Sequence, residues 1–254
     1  MIYYDDDLSQ LEDELELTSP LDRWEDQEPD PTPDPESLLT LLRGETGTLQ
    51  EQILAARAFC QLQDDRVVEP LLNLLQDPCP MLRVSVVYAL GHNPSRQSVE
   101  PLIQQLQTDW NGYVRKGLVW ALGNSGDDRS VAPLLPVLAQ DIAAVRLWAA
   151  SSLGQLARDV GYETILKSIP PLVASLRQDP MAVVRSNCAW AIGEICQVLP
   201  SNVVYATSID ALIETLVEDE DMSVREDAKA ALLKLGDSRS LQMIEALQQE
   251  GLLW

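Results

Sequence analysis

The side chains best suited to gripping another molecule in this 254-residue chain are aromatic, and they recur at one spacing. Five arginines, Arg83, Arg115, Arg146, Arg185 and Arg225, open similar stretches. The fifth residue after each is Tyr88, Trp120, Ser151, Trp190 or Ala230. The second is Ser85, Gly117, Trp148, Asn187 or Asp227, and the ninth is His92, Asn124, Gln155, Glu194 or Lys234. Rigid rings supply large contact area at low entropic cost. Tyr88, Trp120, Trp148 and Trp190, edged by His92, Asn124, Gln155 and Glu194, are therefore the candidate partner-binding residues. Rings at these positions also suit sideways packing between neighbouring repeats, and that alternative stays open.

Other chemistry is poorly supplied. A single histidine, His92, excludes zinc sites built on several histidines and any Ser-His-Asp relay that does not use it. It follows Gly91 at the end of an expected helix, which suits a capping or surface role. No glycine-rich phosphate or dinucleotide loop is present. The carboxylates form no distinct acid/base pair beyond a repeating Asp. The four cysteines, Cys60, Cys79, Cys188 and Cys196, lack clustered ligand spacing. Cys79, in Asp77-Pro78-Cys79-Pro80, is the thiol expected to be most exposed. We expect no catalytic residue, no metal site and no cofactor.

The elements that must position the rings come from a repeat. Ser98, Ser130, Ser168, Ser208 and Ser240 recur at intervals of 32, 38, 40 and 32 residues, each before an aliphatic residue. Serine suits an N-cap, and Pro101, Pro133, Pro170 and Pro171 suit a first turn. Short helices are thus expected over 99–109, 131–141, 169–179 and 209–219, with leucines on one face. Each ends near an Asp (Asp77, Asp109, Asp141, Asp179, Asp219). An Arg follows five or six residues later, and then an Ala-rich second helix ends near Gly91, Gly123, Gly154 or Gly193. Residues 37–67 follow the plan more loosely, with Gln52 replacing the Arg. The Asp and Arg columns predict a structural ladder: each Asp caps its second helix, and each Arg reaches the Asp of its own or an adjoining repeat. Positions three, six and seven after the Arg are apolar or small and predict the core. Such pairs must stack to bury their apolar faces, so the expected fold is all-α, a right-handed α-solenoid of about six helix pairs. Insertions at 157–168 and 196–208 either alter curvature and specificity or are tolerated edge loops.

Asp, then Val-Arg, then Ala-Leu-Gly, as in VRKGLVWALGNSGDDRSVAPLL from Val114, resembles HEAT repeats, in the variant of the phycobilin lyase E/F family. The resemblance spans roughly 60–250. It implies either attachment or removal of phycobilins or escort of a partner during maturation. The implied partner is another protein, a phycobiliprotein subunit or an A-type iron–sulfur carrier. Lyases of this type act as two different subunits, whereas this is one chain with an added acidic arm. In the lyase alternative the rings would stack on a tetrapyrrole, and Glu194 would assist proton transfer.

That arm, residues 1–36, holds fourteen Asp and Glu against one Arg, and the whole chain carries a formal charge of −22. Nucleic acid and anionic membranes are poor partners for such a surface. Leu8, Leu11 and Leu15 fit one short amphipathic helix, followed by a charged, proline-rich spacer. The arm is expected to be a solvated tail, or to dock through Tyr3, Tyr4, Leu8, Leu11 and Trp24; residues 37–254 form the repeat domain. Few cysteines, no signal peptide and no long apolar run together suggest a cytoplasmic protein.

Overall fold

The computed structural model describes residues 34–251. The expected tail or docking helix over residues 1–33 and the last three residues lie outside them. All regular structure among the described residues is helical, and the fold is an all-α helical repeat of the solenoid class. The chain divides into two compact units at Ser130 and Val131.

The first unit contains α1 (Pro35–Leu42) with α2 (Leu49–Ala58), α3 (Val68–Leu74) with α4 (Pro80–His92), and α5 (Arg96–Thr108) with α6 (Gly112–Gly123). Helix α1 takes in Pro35 and Glu36, so the repeats begin slightly before the expected boundary. Asp34 accepts the Ser37 N–H at its start. Thr48 and Glu51 form a capping box on α2.

In the second unit, α7 (Val131–Gln140) pairs with α8 (Ala143–Leu156), α10 (Ile169–Gln178) with α11 (Ala182–Cys196), and α12 (Val203–Glu218) with α13 (Met222–Leu235). Helix α14 (Ser238–Gln249) follows. The insertion at 157–168 forms a short α9 (Tyr162–Ile165) and a 3₁₀ turn. The insertion at 196–208 instead lengthens α12 at its start, where Asn202 accepts from the Val204 and Tyr205 N–H groups.

Of the periodic serines, Ser168 stands at an N-cap, that of α10, and its hydroxyl makes no capping hydrogen bond. Ser98, Ser208 and Ser240 lie inside helices, and Ser130 and Ser168 lie in 3₁₀ turns. All five are buried. The caps stand three residues upstream at Ser95 and Asp237. The Ser98 and Ser240 hydroxyls donate back to those residues' carbonyls at 2.7 and 2.8 Å. Their periodicity reports a small residue tolerated where helices meet. Pro101 accordingly falls inside α5, not in its first turn.

The core columns are filled as spaced: Val86, Ala89 and Leu90; Leu118, Ala121 and Leu122; Ala149, Ser152 and Leu153; and Cys188, Ala191 and Ile192 are all buried. The second helices end within three residues of Gly91, Gly123, Gly154 and Gly193, as spaced, and these glycines lie inside the last turn. A Cβ on Gly91 would collide with the Trp120 ring. On Gly154 it would stand 2.7 Å from Trp190 Cζ3, and on Gly193 2.9 Å from Ala231 Cβ. These glycines are notches that admit the next second helix.

The Asp and Arg columns meet through a double grip. Arg83 forks onto Asp109 at 2.8 and 2.9 Å, Arg146 onto Asp179 at 2.7 and 2.9 Å, and Arg185 onto Asp219 at 2.8 and 2.9 Å. In each case the Asp belongs to the following repeat. The free end of each guanidinium donates to a carbonyl of its own loop: Asp77 for Arg83, Asp141 for Arg146 and Asp179 for Arg185. Arg115 likewise donates to the Asp109 carbonyl at 3.1 Å. Arg225 departs, donating to Leu216. Gln52 keeps an own-loop bond, to the Leu41 carbonyl. The Asp carboxylates do not cap the second helices directly, except through their loops: Asp77, Asp109, Asp179 and Asp219 accept the N–H two residues on, and Asp141 the next one.

The Arg83–Asp109 pair is almost wholly buried, with side-chain exposures of 5% and 0%. Removing one member of such a pair strands the other charge. Asp109→Ala should therefore cost ~3–5 kcal/mol in urea unfolding; a cost under ~1 kcal/mol would mean the pair is dispensable.

Burial works to raise the Asp109 and Asp219 carboxyls, but the arginine forks and backbone N–H bonds outweigh it and hold both below the usual range. Depressed folded values contribute stability above the unfolded value, and that contribution is lost as pH falls through the folded one. Stability should thus fall below about pH 4, with a shallower acid slope in Asp109→Asn/Asp219→Asn; equal slopes would contradict this.

Helix propensity alone favours Gly91→Ala by about 1 kcal/mol. The notch predicts a net loss of ~1–3 kcal/mol from overpacking, largely relieved in a Trp120→Ala background when unfolding midpoints are compared.

Candidate functional site

In the first unit the rings interlock through the notches. Tyr88 and Trp120 stack with centroids 5.2 Å apart at 29°, and His92 tilts against Trp120 at 4.9 Å and 57°. Gly117 makes room for this: its Cβ would stand 3.3 Å from Tyr88 Cε2 and 3.1 Å from Val87 Cγ1. Tyr88 and Trp120 are half-buried, whereas His92, the last residue of α4, is exposed. The Asn124 side chain makes a long 3.5 Å bond to the Gly91 carbonyl. Trp120 is therefore partly committed to packing against the preceding repeat, as the sideways alternative holds.

The second unit is more open. Trp148, Ser151, Gln155, Ser186, Asn187, Trp190 and Asp227 line a cavity of about 410 Å³. These residues come from α8, α11 and α13, and most occupy the second, fifth or ninth position after their arginine. One edge of Trp190 rests in the Gly154 notch, yet the residue remains 39% exposed. Trp148 is half-buried and Gln155 exposed. The polar floor is ordered. Ser151 donates to Asn187 Oδ1 at 2.6 Å, Asn187 donates to the Val183 carbonyl at 2.9 Å, and Ser186 donates to Asp227 Oδ2.

The expected single row of four rings divides between the units: Tyr88 and Trp120 stand in the first, Trp148 and Trp190 in the second. Glu194 does not edge the second cavity. It is 9% exposed, receives Arg158 at 3.3 Å and Gln197 at 3.1 Å, and is also paired with Lys234. A carboxylate with two cationic partners is an ion-pair hub, poorly suited to moving a proton to a ligand. Cys79 is half-buried at the start of α4, not openly exposed. Burial pushes the Cys60 thiol up to about 12 and that of Cys196 up to about 11, so neither is primed as a nucleophile. The described residues contain no metal-binding group of His, Cys, Asp and Glu. None of their helices is long and apolar enough to cross a membrane.

Two features escaped the sequence reading. Trp110, directly after ladder residue Asp109, is 73% exposed. The Arg83 guanidinium lies 5.8 Å from its ring centroid, beside a polar hollow of about 390 Å³ over Asp77, Gln105 and Thr108. Its signal was the Trp itself, where other repeats carry Pro78, Ile142, Pro180 or Glu220. The second feature is an outer ladder written as Asp-x-Arg. Arg129 forks onto Asp127 and donates to the Arg96 carbonyl. Arg66 pairs with Asp64 and Glu36, and Arg239 reaches Asp210 and the Ala206 carbonyl. The recurrence of Gly-Asp-x-Arg-Ser at 126–130 and 236–240 was its trace.

The HEAT repeats family matches residues 99–193 and again 169–251, and a PBS lyase HEAT-like repeat matches residues 52–77. No curated protein matches the sequence. Among solved structures, a designed armadillo repeat protein in complex with the peptide (KR)4 is similar at 21% identity and TM-score 0.58, over 79% of this chain and 98% of that one. The complex of CpcE and CpcF of phycocyanin lyase from Nostoc is similar at 19% identity and TM-score 0.58, over 85% and 82%. Yeast importin-beta aligns at 16% identity and TM-score 0.56, over 84% of this chain and 32% of its own length. At these identities the likeness is one of fold alone. With paired helices, buried Arg–Asp forks between successive loops and a sequence match over more than half its length, the chain belongs to the HEAT-repeat family.

Proposed function

We propose that this protein is a non-catalytic scaffold that grips a segment of another protein on the aromatic face of its second helices. Trp148 and Trp190 serve as the main anchors, and Tyr88, Trp120 and His92 as a secondary patch. The observation that carries this reading is the open cavity of about 410 Å³ walled by two indoles above a hydrogen-bonded polar floor. Large rings over satisfied polar groups are the usual make-up of binding hot spots. The partner class follows from resemblance: a phycobiliprotein subunit or an A-type iron–sulfur carrier undergoing maturation or assembly in a cyanobacterial cytoplasm. The PBS lyase HEAT-like match over 52–77 supports that setting, and four free cysteines fit a reducing compartment.

The same match favours one second reading, a phycobilin lyase or lyase subunit whose indoles stack on a tetrapyrrole. The commitment of Glu194 to Arg158 and Lys234 weighs against it as an enzyme acting alone. Mixing the purified protein with phycocyanobilin separates the two. A shifted, sharpened absorption band would favour the lyase, and the spectrum of free bilin favours the scaffold.

Peptides selected from a displayed random library against the wild-type protein test the scaffold reading. Their binding to Trp190→Ala should weaken by ~2 kcal/mol or more, with the helical circular dichroism spectrum retained. Selected peptides that bind Trp148→Ala/Trp190→Ala as tightly as wild type would refute it.

A further inference from the structure

Resting on the reading of the second-unit cavity as a binding surface, we infer that its occupant is a cationic side chain, an arginine presented by an extended partner segment. Among the described residues that line the cavity, Asp227 alone is charged. Its Oδ2 accepts from Ser186, which orients the carboxylate without neutralising it. The faces of Trp148 and Trp190 carry the negative side of an aromatic quadrupole and attract cations. The indoles and the carboxylate that line the cavity thus favour the same sign of charge. Nearby Lys234, which would oppose it, is held on Glu194, as is Arg158.

The other ligand classes fit less well. An anion would meet Asp227 with no arginine or lysine in the lining to balance it. An aliphatic side chain would draw the carboxylate, Gln155 and Asn187 out of water without offering them a hydrogen bond, which is costly. Between the two cations, a planar guanidinium can stack on an indole while forking onto a carboxylate, whereas an ammonium cannot do both. The formal charge of −22 adds a long-range field that draws basic segments toward the molecule.

The experiment titrates the full chain with a capped octapeptide of glycine, serine and two arginines, followed by calorimetry and by the indole N–H resonances of Trp148 and Trp190. Matched peptides replace arginine with lysine or with neutral citrulline. The expected result is binding that shifts both indole resonances, weakens at least tenfold with citrulline and severalfold with lysine, and weakens at least tenfold in Asp227→Asn. That variant keeps an acceptor for Ser186, and its melting temperature is recorded beside the wild type to separate binding loss from unfolding. Citrulline peptide binding as tightly as arginine, with the indoles still shifted, overturns the cationic assignment and leaves the cavity reading standing. Arginine peptide binding that is unchanged in Trp148→Ala/Trp190→Ala reports attraction to the acidic chain at large, and overturns both.

Discussion

Three ladder arginines, Arg83, Arg146 and Arg185, each grip two consecutive loops at once, and the geometry of the repeat depends on that grip. A guanidinium has five N–H donors in a rigid plane. One edge fits a carboxylate, and the remaining donors reach a carbonyl. In Arg83, Arg146 and Arg185 the fork goes to the next repeat's Asp and the remaining donor to the home loop. The Asp in turn ties down the N–H of the residue just before its own second helix. A hydrophobic stripe alone lets stacked helices slide by a turn with little loss of buried area. A buried, directional fork does not, because a slip strands two charges. The ladder therefore contributes register more than net stability.

With register fixed, the surface chemistry of the second helices follows from small residues. Gly91 and Gly154 let the neighbouring indole lie against bare backbone, so that Trp190 is held at one edge while the residue remains exposed. Preorganised rings of this kind lose little entropy when a ligand arrives. In the proposed scaffold, packing and binding are one arrangement seen from its two sides, and the balance differs by site. Trp120 leans toward packing, wedged between Tyr88, His92 and Gly91. Trp190 leans toward exposure, because its neighbours Ser151 and Asn187 are too small to cover it.

The core was legible in the sequence because burial leaves a residue-type imprint: every third, sixth and seventh position after an Arg is small or apolar, and all are sealed. The Arg and Asp columns were legible for the same reason, since a charge repeated once per helix pair needs a recurring partner. The serines misled because a hydroxyl suits two places, an N-cap and a crowded helix contact, and only the caps three residues upstream, Ser95 and Asp237, betrayed which one was used. Gly at a helix end and Gly at a helix crossing likewise share one letter. Glu194 looked like a groove edge although its partner Lys234 stands in the same column one repeat on; Arg158, 36 residues earlier in the 157–168 insertion, carried no periodic mark. The cavity itself was visible as the columns of positions two, five and nine, Asp227 and Gln155 included; only Ser186, next to its arginine, was singled out by no spacing.

The most direct measurement joins the ladder to the site. In the second unit, Arg185 of α11 forks onto Asp219 just before α13, and α11 and α13 both contribute walls to the cavity. Fluorotryptophan spectra of wild type and Asp219→Asn, both folded, compare the surroundings of Trp148 and Trp190 with and without that fork. If the fork sets the geometry, the Trp190 resonance moves or broadens in the variant. A Trp190 resonance identical in position and width would contradict the dependence of the site on the ladder.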